Sequence, residues 1–266
     1  MDARLNNHIW RIYAPLFEQM LKLMAVASIH VIGDWGRKGQ FSQRDVAHKM
    51  EDVSADAVIS VGDNFYRDGL VNADDPQVRE SWLDVYNTNK PWFVALGNHD
   101  HHGNITAQMH INHTQWHMPA AVYSFDLGEH SFVVADSEKI DGEQFKHLDR
   151  LLSFQTGFKW IVAHHPIVTA GWHHNVDFDY QSEMAHLYYK HNVTGILSGH
   201  DHNMQYLEWR GIRQIISGGG ASTYYAEYPQ EGLKYFDANP GFVNLNLKDR
   251  KIDFWNTEEI KFTVSF

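Results

Sequence analysis

The chain has 266 residues, of which 43% are hydrophobic and 14% aromatic. This composition excludes a disordered chain, a collagen-like repeat and a coiled coil, and the length suits one large α/β domain. With 22 basic and 33 acidic residues the formal net charge is −11, the wrong sign for a protein that binds a nucleic-acid backbone through a basic surface.

Residues 1–28 differ in pattern from the rest of the chain. Six apolar residues recur there at spacings of three or four: Leu5, Ile9, Ile12, Leu16, Met20 and Leu23. This spacing predicts an amphipathic helical extension, which Pro15 would kink or restart. The alternative is a degenerate secretory signal, because Ala25-Val26-Ala27 has the form of a cleavage site, although Glu18 and Lys22 interrupt the apolar core.

From residue 29 onward, short runs of apolar residues end in a small residue that is followed by Asp, Asn or His. The runs are 29–32, 57–61, 92–96, 160–163 and 195–199. Runs of this kind predict buried strands of a sheet covered on both faces. None approaches the roughly 20 apolar residues that a membrane span requires, so we expect no membrane span.

Patterns typical of surface helices lie between these strands, at residues 43–50, 75–86, 143–152 and 179–191. Residues 123–127 and 131–135 predict one hairpin, and residues 241–247 and 251–255 predict another. No second domain boundary is evident. Together the elements predict a layered α/β domain with mixed strand pairing over residues 29–266.

The chain has 19 histidines and no cysteine. The absence of cysteine excludes disulfides, thiolate nucleophiles, zinc fingers and iron–sulfur clusters. Histidine is the commonest metal ligand. Since the chain is acidic, any phosphate chemistry needs a concentrated local positive charge, and a bound metal is the obvious source.

Metal-ligand side chains follow the predicted strands. They are Asp34, Asp63, Tyr66, Asn98, His99, His164, His165, His200, Asp201 and His202. Each alone is typical of a turn or of a solvated histidine, but ligand sites of α/β sheets form beyond the carboxyl ends of strands, where these side chains can converge. Oxygen and nitrogen donors without sulfur favour iron, manganese or zinc.

Five segments resemble the motifs of the metallophosphoesterases, and more narrowly those of the purple acid phosphatases of the tartrate-resistant type. They are Gly33-Asp34-Trp35-Gly36, Gly62-Asp63-Asn64-Phe65-Tyr66, Gly97-Asn98-His99-Asp100, the His164 segment and Gly199-His200-Asp201-His202-Asn203. Tyr66, three residues after Asp63, carries the narrower likeness. The resemblance implies an α/β/β/α sandwich of mixed sheets, with residues 29–266 as the catalytic domain.

The resemblance also implies a dinuclear metal centre with a divided ligand set. The first metal would be held by Asp34, Asp63, Tyr66 and His202, and the second by Asn98, His164, His200 and the bridging Asp63. A phenolate ligand requires a strongly acidic metal, which favours Fe(III) beside Tyr66; the second metal would be divalent Fe, Zn or Mn. His164 is preferred to His165 because the family motif places its ligand two residues before the proline.

His99 and His173 match the family's outer histidines and would act on the substrate. The expected activity is hydrolysis of phosphate monoesters, of small molecules or phosphoproteins, by attack of a metal-bound hydroxide in acid. The alternatives are a phosphodiesterase or nucleotide hydrolase of the same superfamily and a non-catalytic metal-binding domain. We expect a monomer, secreted or periplasmic by resemblance and cytoplasmic if residues 1–28 are not a signal.

Overall fold

The structure, a computed structural model, describes residues 26–266, so the helical extension predicted over residues 1–28 lies almost entirely outside the described residues. The strands begin with β1 (Ser28–Ile32), β2 (Ala57–Ser60), β3 (Trp92–Val94), β4 (Trp116–His117), β5 (Tyr123–Leu127), β6 (His130–Ala135) and β7 (Phe158–Ala163). They continue with β8 (Gly195–Ser198), β9 (Met204–Trp209), β10 (Ile212–Ser217), β11 (Leu233–Asp237), β12 (Gly241–Asn246), β13 (Lys251–Asn256) and β14 (Ile260–Ser265).

The helices are α1 (Gln43–Asp52), α2 (Asn98–His101), α3 (Ile105–Met109), α4 (Gly142–Phe154) and α5 (Phe178–His191). Predicted helices 43–50, 143–152 and 179–191 fall within α1, α4 and α5. The α-helix predicted over residues 75–86 is wrong in type, because the chain forms a π-helical segment at Val78–Leu83. The fully buried Trp82 lies in that wide turn and packs edge-on against Trp92 and Trp116.

The strands form two seven-stranded sheets, in the orders β14-β13-β12-β1-β2-β3-β4 and β11-β9-β10-β8-β7-β6-β5. β1 to β4 pair in parallel in the first sheet, and β6, β7, β8 and β10 pair in parallel in the second. Antiparallel hairpins extend both sheets, including the two that the sequence predicts. The predicted mixed pairing is therefore confirmed.

The hydrophobic core has three layers. One cluster, which includes Ile59, Phe132 and Leu197, fills the space between the two sheets. A second cluster packs α1 and the Trp82 turn on the outer face of the first sheet, and a third packs α4 and α5 on the outer face of the second. Helices thus cover both sheets, and the α/β/β/α sandwich that the sequence predicts is confirmed.

This architecture brings five strand ends to one edge of the sandwich. Parallel strands have their carboxyl ends on the same side of a sheet, and both sheets present that side to the same cleft. Asp34, Asp63, Asn98, His164 and His200 follow β1, β2, β3, β7 and β8 in turn. Within residues 26–266, no helix has both the length and the apolar character that a membrane crossing requires.

Candidate metal centre

Four of the predicted ligands meet at the Tyr66 hydroxyl group, which three of them surround. It lies 2.7 Å from Asp63 Oδ2 and 3.1 Å from both Asp34 Oδ1 and His202 Nε2. The single phenol proton cannot be donated to both carboxylate oxygens. Oxygen and nitrogen atoms that share an ion with bonds of about 2.0–2.2 Å lie at separations of about 3 Å, which are the separations found here.

Three further ligands meet beside the first four. Asn98 Oδ1 lies 3.1 Å from His164 Nε2 and 3.0 Å from His200 Nδ1. His164 Nδ1 lies 2.9 Å from the Val61 carbonyl oxygen, to which it must donate, so Nε2 of the neutral ring carries a lone pair. Two lone pairs facing each other are repulsive, and a cation between them removes the conflict.

Asp63 lies between the two sets of ligands. Its Oδ2 faces Tyr66, while its Oδ1 lies 3.5 Å from His164 Nε2. Asp34, Asp63 and His202 also form the carboxylate and imidazole cluster within residues 26–266 whose ligand atoms all lie within 4.8 Å of one another. The seven predicted ligands thus form two adjoining groups that share one carboxylate.

The electrostatics of the cluster favour a multivalent cation. Burial and the neighbouring Asp63 carboxylate raise the pKa of Asp34 well above its usual range, and burial with both carboxylates does the same to the pKa of Tyr66. Burial and His164 hold the pKa of His200 well below its usual range, and burial and Arg37 lower that of His202 to about 4. Neutral imidazoles beside crowded acids suit metal ligation, so the residues present fit the implied metals.

The backbone at this edge takes conformations that explain the recurring glycines. Asp34, Asp63 and His200 have left-handed φ angles of 62°, 55° and 69°, which turn each side chain back toward the cleft. A Cβ added to Gly97 would lie 2.2 Å from Asp63 Oδ1. The glycines before Asp63, Asn98 and His200 are therefore required, because a Cβ on any of them would meet the side chain of a neighbouring ligand.

His99 lies at the rim of the first ligand group. Its ring packs against Tyr66 at 4.4 Å between centroids, and its backbone N–H donates to Asp63 Oδ1 at 2.9 Å. Its Nδ1 lies 2.6 Å from the Arg67 carbonyl oxygen and must donate to it. Nε2 therefore remains for the cleft, which His99 lines.

His173 lies on the opposite side, against His200 at 3.9 Å between ring centroids. Its Nδ1 and its backbone N–H both lie within about 3.1 Å of Asp201 Oδ1. Burial acts to raise the pKa of Asp201, but the His173 and Thr169 hydrogen bonds outweigh it, and the net direction is downward. The ionised carboxylate fixes the orientation of His173, whose Nε2 remains available to the cleft.

Two residues that act on the ligands or on His173 are not among the ligands predicted from the sequence. Arg37 stacks its guanidinium 3.3 Å from the centre of the Tyr66 ring. Its position three residues after Asp34 is the sequence feature that could have indicated this contact. Asp201 stands among the strand-end residues, yet its role as the partner of His173 needs the fold. His165 turns away from Asn98 and places its Nδ1 2.9 Å from Ser137 Oγ.

Other aromatic, histidine and glycine residues close to the motifs in sequence occupy different positions relative to the ligands. Trp172, Tyr224 and Tyr225 line the cleft over the ligands, whereas Trp116 is buried in the core. Neither His102 nor His174 lines this cleft. The glycine run at 218–220 packs beneath the site, where a Cβ on Gly218 would lie 2.0 Å from the Asp201 carbonyl oxygen.

A double-sheet sandwich with two adjoining ligand groups at its strand ends defines a metallophosphoesterase. The family model for calcineurin-like phosphoesterases matches residues 27–204. Purple acid phosphatase 7 of Arabidopsis thaliana is 32% identical over 268 residues, which cover 85% of this chain and 81% of that protein. The chain therefore belongs to the calcineurin-like phosphoesterases and, among them, to the purple acid phosphatases; it is a hydrolase of that superfamily.

Two further comparisons agree with this placement. Tartrate-resistant acid phosphatase type 5 of Mus musculus is 28% identical over 273 residues, covering 83% of each chain. The structure of GAP50, described as the anchor in the inner membrane complex of Plasmodium, matches with a TM-score of 0.81 at 21% identity, over 90% of this chain and 88% of that one. At that identity the likeness to GAP50 shows the fold alone.

Proposed function

We propose that this protein is an acid phosphatase that hydrolyses phosphate monoesters at a dinuclear metal centre. Fe(III) would be held by Asp34, Asp63, Tyr66 and His202, and a divalent Fe, Zn or Mn ion by Asp63, Asn98, His164 and His200. The observation that carries the proposal is the division of the seven donors into two groups that share Asp63.

Two metals, when bound, clamp a phosphate group and lower the pKa of a bound water to near neutral or below. Three anionic ligands against five positive charges would leave a local charge of about +2, which attracts phosphate to an otherwise acidic chain. Arg37 adds positive charge on the same side, because its guanidinium lies against the Tyr66 ring.

The chain's own residues supply the proton that the leaving group needs. As water adds to phosphorus and the bond to the ester oxygen breaks, the departing alkoxide takes a proton from an imidazole. His173 is suited to this step, since Asp201 holds its Nδ1 and would stabilise the ring when it is charged. His99 on the opposite rim would hold the phosphoryl oxygens by hydrogen bonding.

The cleft above the ligands favours monoesters over the rival classes. It encloses about 410 Å³ and carries the two rim imidazoles, which suit a dianionic phosphate that presents three free oxygens. A phosphodiesterase must accommodate a second ester group between His99 and His173. A non-catalytic domain would have no need of His173 paired with a buried carboxylate.

The test compares hydrolysis of an aryl phosphate monoester with that of the matching diester by iron-loaded protein, from acidic to neutral pH. We expect monoester turnover in acid that is lost in Asn98→Ala and retained in Asn87→Ala, a matched change at an exposed position on another face. Preference for the diester would favour the nucleotide or diester class. No turnover from fully metallated protein would favour the non-catalytic class.

A further inference from the structure

A second cavity opens beside the metal centre. It encloses about 540 Å³ and shares Trp172, His173 and His200 with the cleft over the ligands. A phosphate held between the two ligand groups therefore has His173, the proton donor proposed above, on the side that leads into this cavity. A leaving oxygen that takes its proton from His173 would lie on that side, with the rest of the leaving group in this cavity.

The walls of the cavity combine apolar surface with negative charge. Ile140, Val176 and Trp172 supply apolar side chains, and Trp172 has 62% of its surface exposed at the entrance. Glu138 and Asp177 are the carboxylates among the lining residues, which all lie in the described part of the chain and include neither lysine nor arginine. The volume lies within the ~300–1,000 Å³ typical of small-molecule sites, so the cavity can hold an aryl or alkyl leaving group.

The charges of these two carboxylates are not balanced within the cavity. Asp177 caps α5 through one oxygen, which accepts from the Tyr180 N–H at 2.9 Å, and its second oxygen is not used in that cap. Glu138 has 34% of its side chain exposed and lies 3.6 Å from His165 Nε2. An ammonium group in the cavity would be attracted by both carboxylates, and the indole ring of Trp172 at the entrance is of a type to which cations bind.

We propose that this cavity is the leaving-group subsite and selects phosphomonoesters of aryl or alkyl alcohols that carry a positively charged amine. The inference rests on the proposed phosphatase function and adds its substrate class. Polyanionic leaving groups, such as a nucleoside diphosphate, would be repelled by Glu138 and Asp177.

Three phenyl phosphates that differ in one remote substituent provide the test. O-Phosphotyramine carries an ammonium group, 4-ethylphenyl phosphate is neutral, and the phosphate of 3-(4-hydroxyphenyl)propionate carries a carboxylate. Two carbons separate each charge from the ring, so the three phenols leave with similar ease. We expect kcat/KM to fall about fivefold from the cationic to the neutral ester and about fivefold again from the neutral to the anionic ester. A fivefold change corresponds to the free energy of a partly exposed ion pair, and it should arise from KM rather than from kcat.

Glu138→Gln should remove most of this preference, measured as the ratio of kcat/KM for the cationic ester to kcat/KM for the neutral ester. Asp177→Asn, which keeps the helix cap, should lower the same ratio. Glu129→Gln makes the same charge change in an exposed turn away from the cavity and should preserve the preference. Equal kcat/KM for the three esters, or a preference unaffected by both cavity variants, would overturn the subsite while leaving the phosphatase function intact. No hydrolysis of any ester would overturn both.

Discussion

A buried histidine that is not one of the predicted metal ligands should make the fold sensitive to acid. His30 lies in the middle of β1 with 1% of its surface exposed, and its ring packs edge-on against Phe242. Its Nε2 has no hydrogen-bond partner. Burial and the charge of Lys90 lower the pKa of His30 from 6.5 to about 3, and Glu51 and Lys90 line the cavity beside it.

The direction of the effect follows from proton binding. Below pH 6.5 the unfolded chain protonates His30 while the folded chain does not, so stability falls as the pH drops from 6.5 toward 3. At pH 5 the solution is 1.5 units below the unfolded pKa, and at about 1.36 kcal/mol per unit the loss is about 2 kcal/mol. This is a large fraction of the 5–15 kcal/mol that typically stabilises a domain.

His30→Leu removes the titration and the unpartnered nitrogen. We expect urea unfolding, followed by tryptophan fluorescence at pH 7.5 and pH 5, to show the variant gaining about 2 kcal/mol over wild type on acidification. His48→Leu changes an exposed histidine of α1 and should gain nothing. Metal-site groups titrate equally in all three proteins and cancel in the difference. An equal difference in stability between His30→Leu and wild type at both pH values would contradict the proposed titration of His30.

Three other changes probe the metal centre directly. Gly97→Ala places a Cβ 2.2 Å from Asp63 Oδ1 and should cost about 1–3 kcal/mol in thermal unfolding and lower the metal content, whereas Gly142→Ala, whose Cβ meets nothing within 4 Å, should not. Tyr66→Phe should abolish the visible phenolate band of iron-loaded protein, and unchanged colour would contradict that ligand. Arg37→Met removes the positive charge against the phenol ring, so the same band should move to longer wavelength; an unshifted spectrum would count against this contact.

The ligand motifs could be predicted from the sequence because their signal is local. Each is an apolar run, a small residue and a donor, and the structure shows why the pattern is compact. The strand must end, the backbone must turn through a left-handed residue such as Asp63, and the glycine must admit the neighbouring ligand. At this edge of the sandwich the local sequence pattern therefore predicts the positions that the ligands take in the fold.

β9 and β10 are a different case, because burial of polar residues hides their pattern. Gln205 and Gln214 are fully buried within these strands. Gln205 Nε2 donates to Thr169 Oγ1 at 2.9 Å, and Gln214 Oε1 accepts from the Ile167 N–H at 3.0 Å. Both partners lie in the loop after β7, and the whole of α5 separates them from the two glutamines in sequence. A local alternation of apolar and polar residues does not reveal such long-range hydrogen bonds. The hairpin of β9 and β10 therefore could not be predicted from the sequence alone.

Hydrogen bonds within the protein hold metal ligands in position without a metal. Asp34 Oδ2 accepts from the His200 N–H at 3.0 Å while Oδ1 faces Tyr66, and His164 donates from Nδ1 to the chain while Nε2 faces Asn98. Each side chain thus uses one atom to fix its own orientation and presents the other to the cleft. Because these anchoring bonds involve the backbone at strand ends, the fold itself sets the ligand positions, and a bound metal would supply the charge that relieves their mutual repulsion.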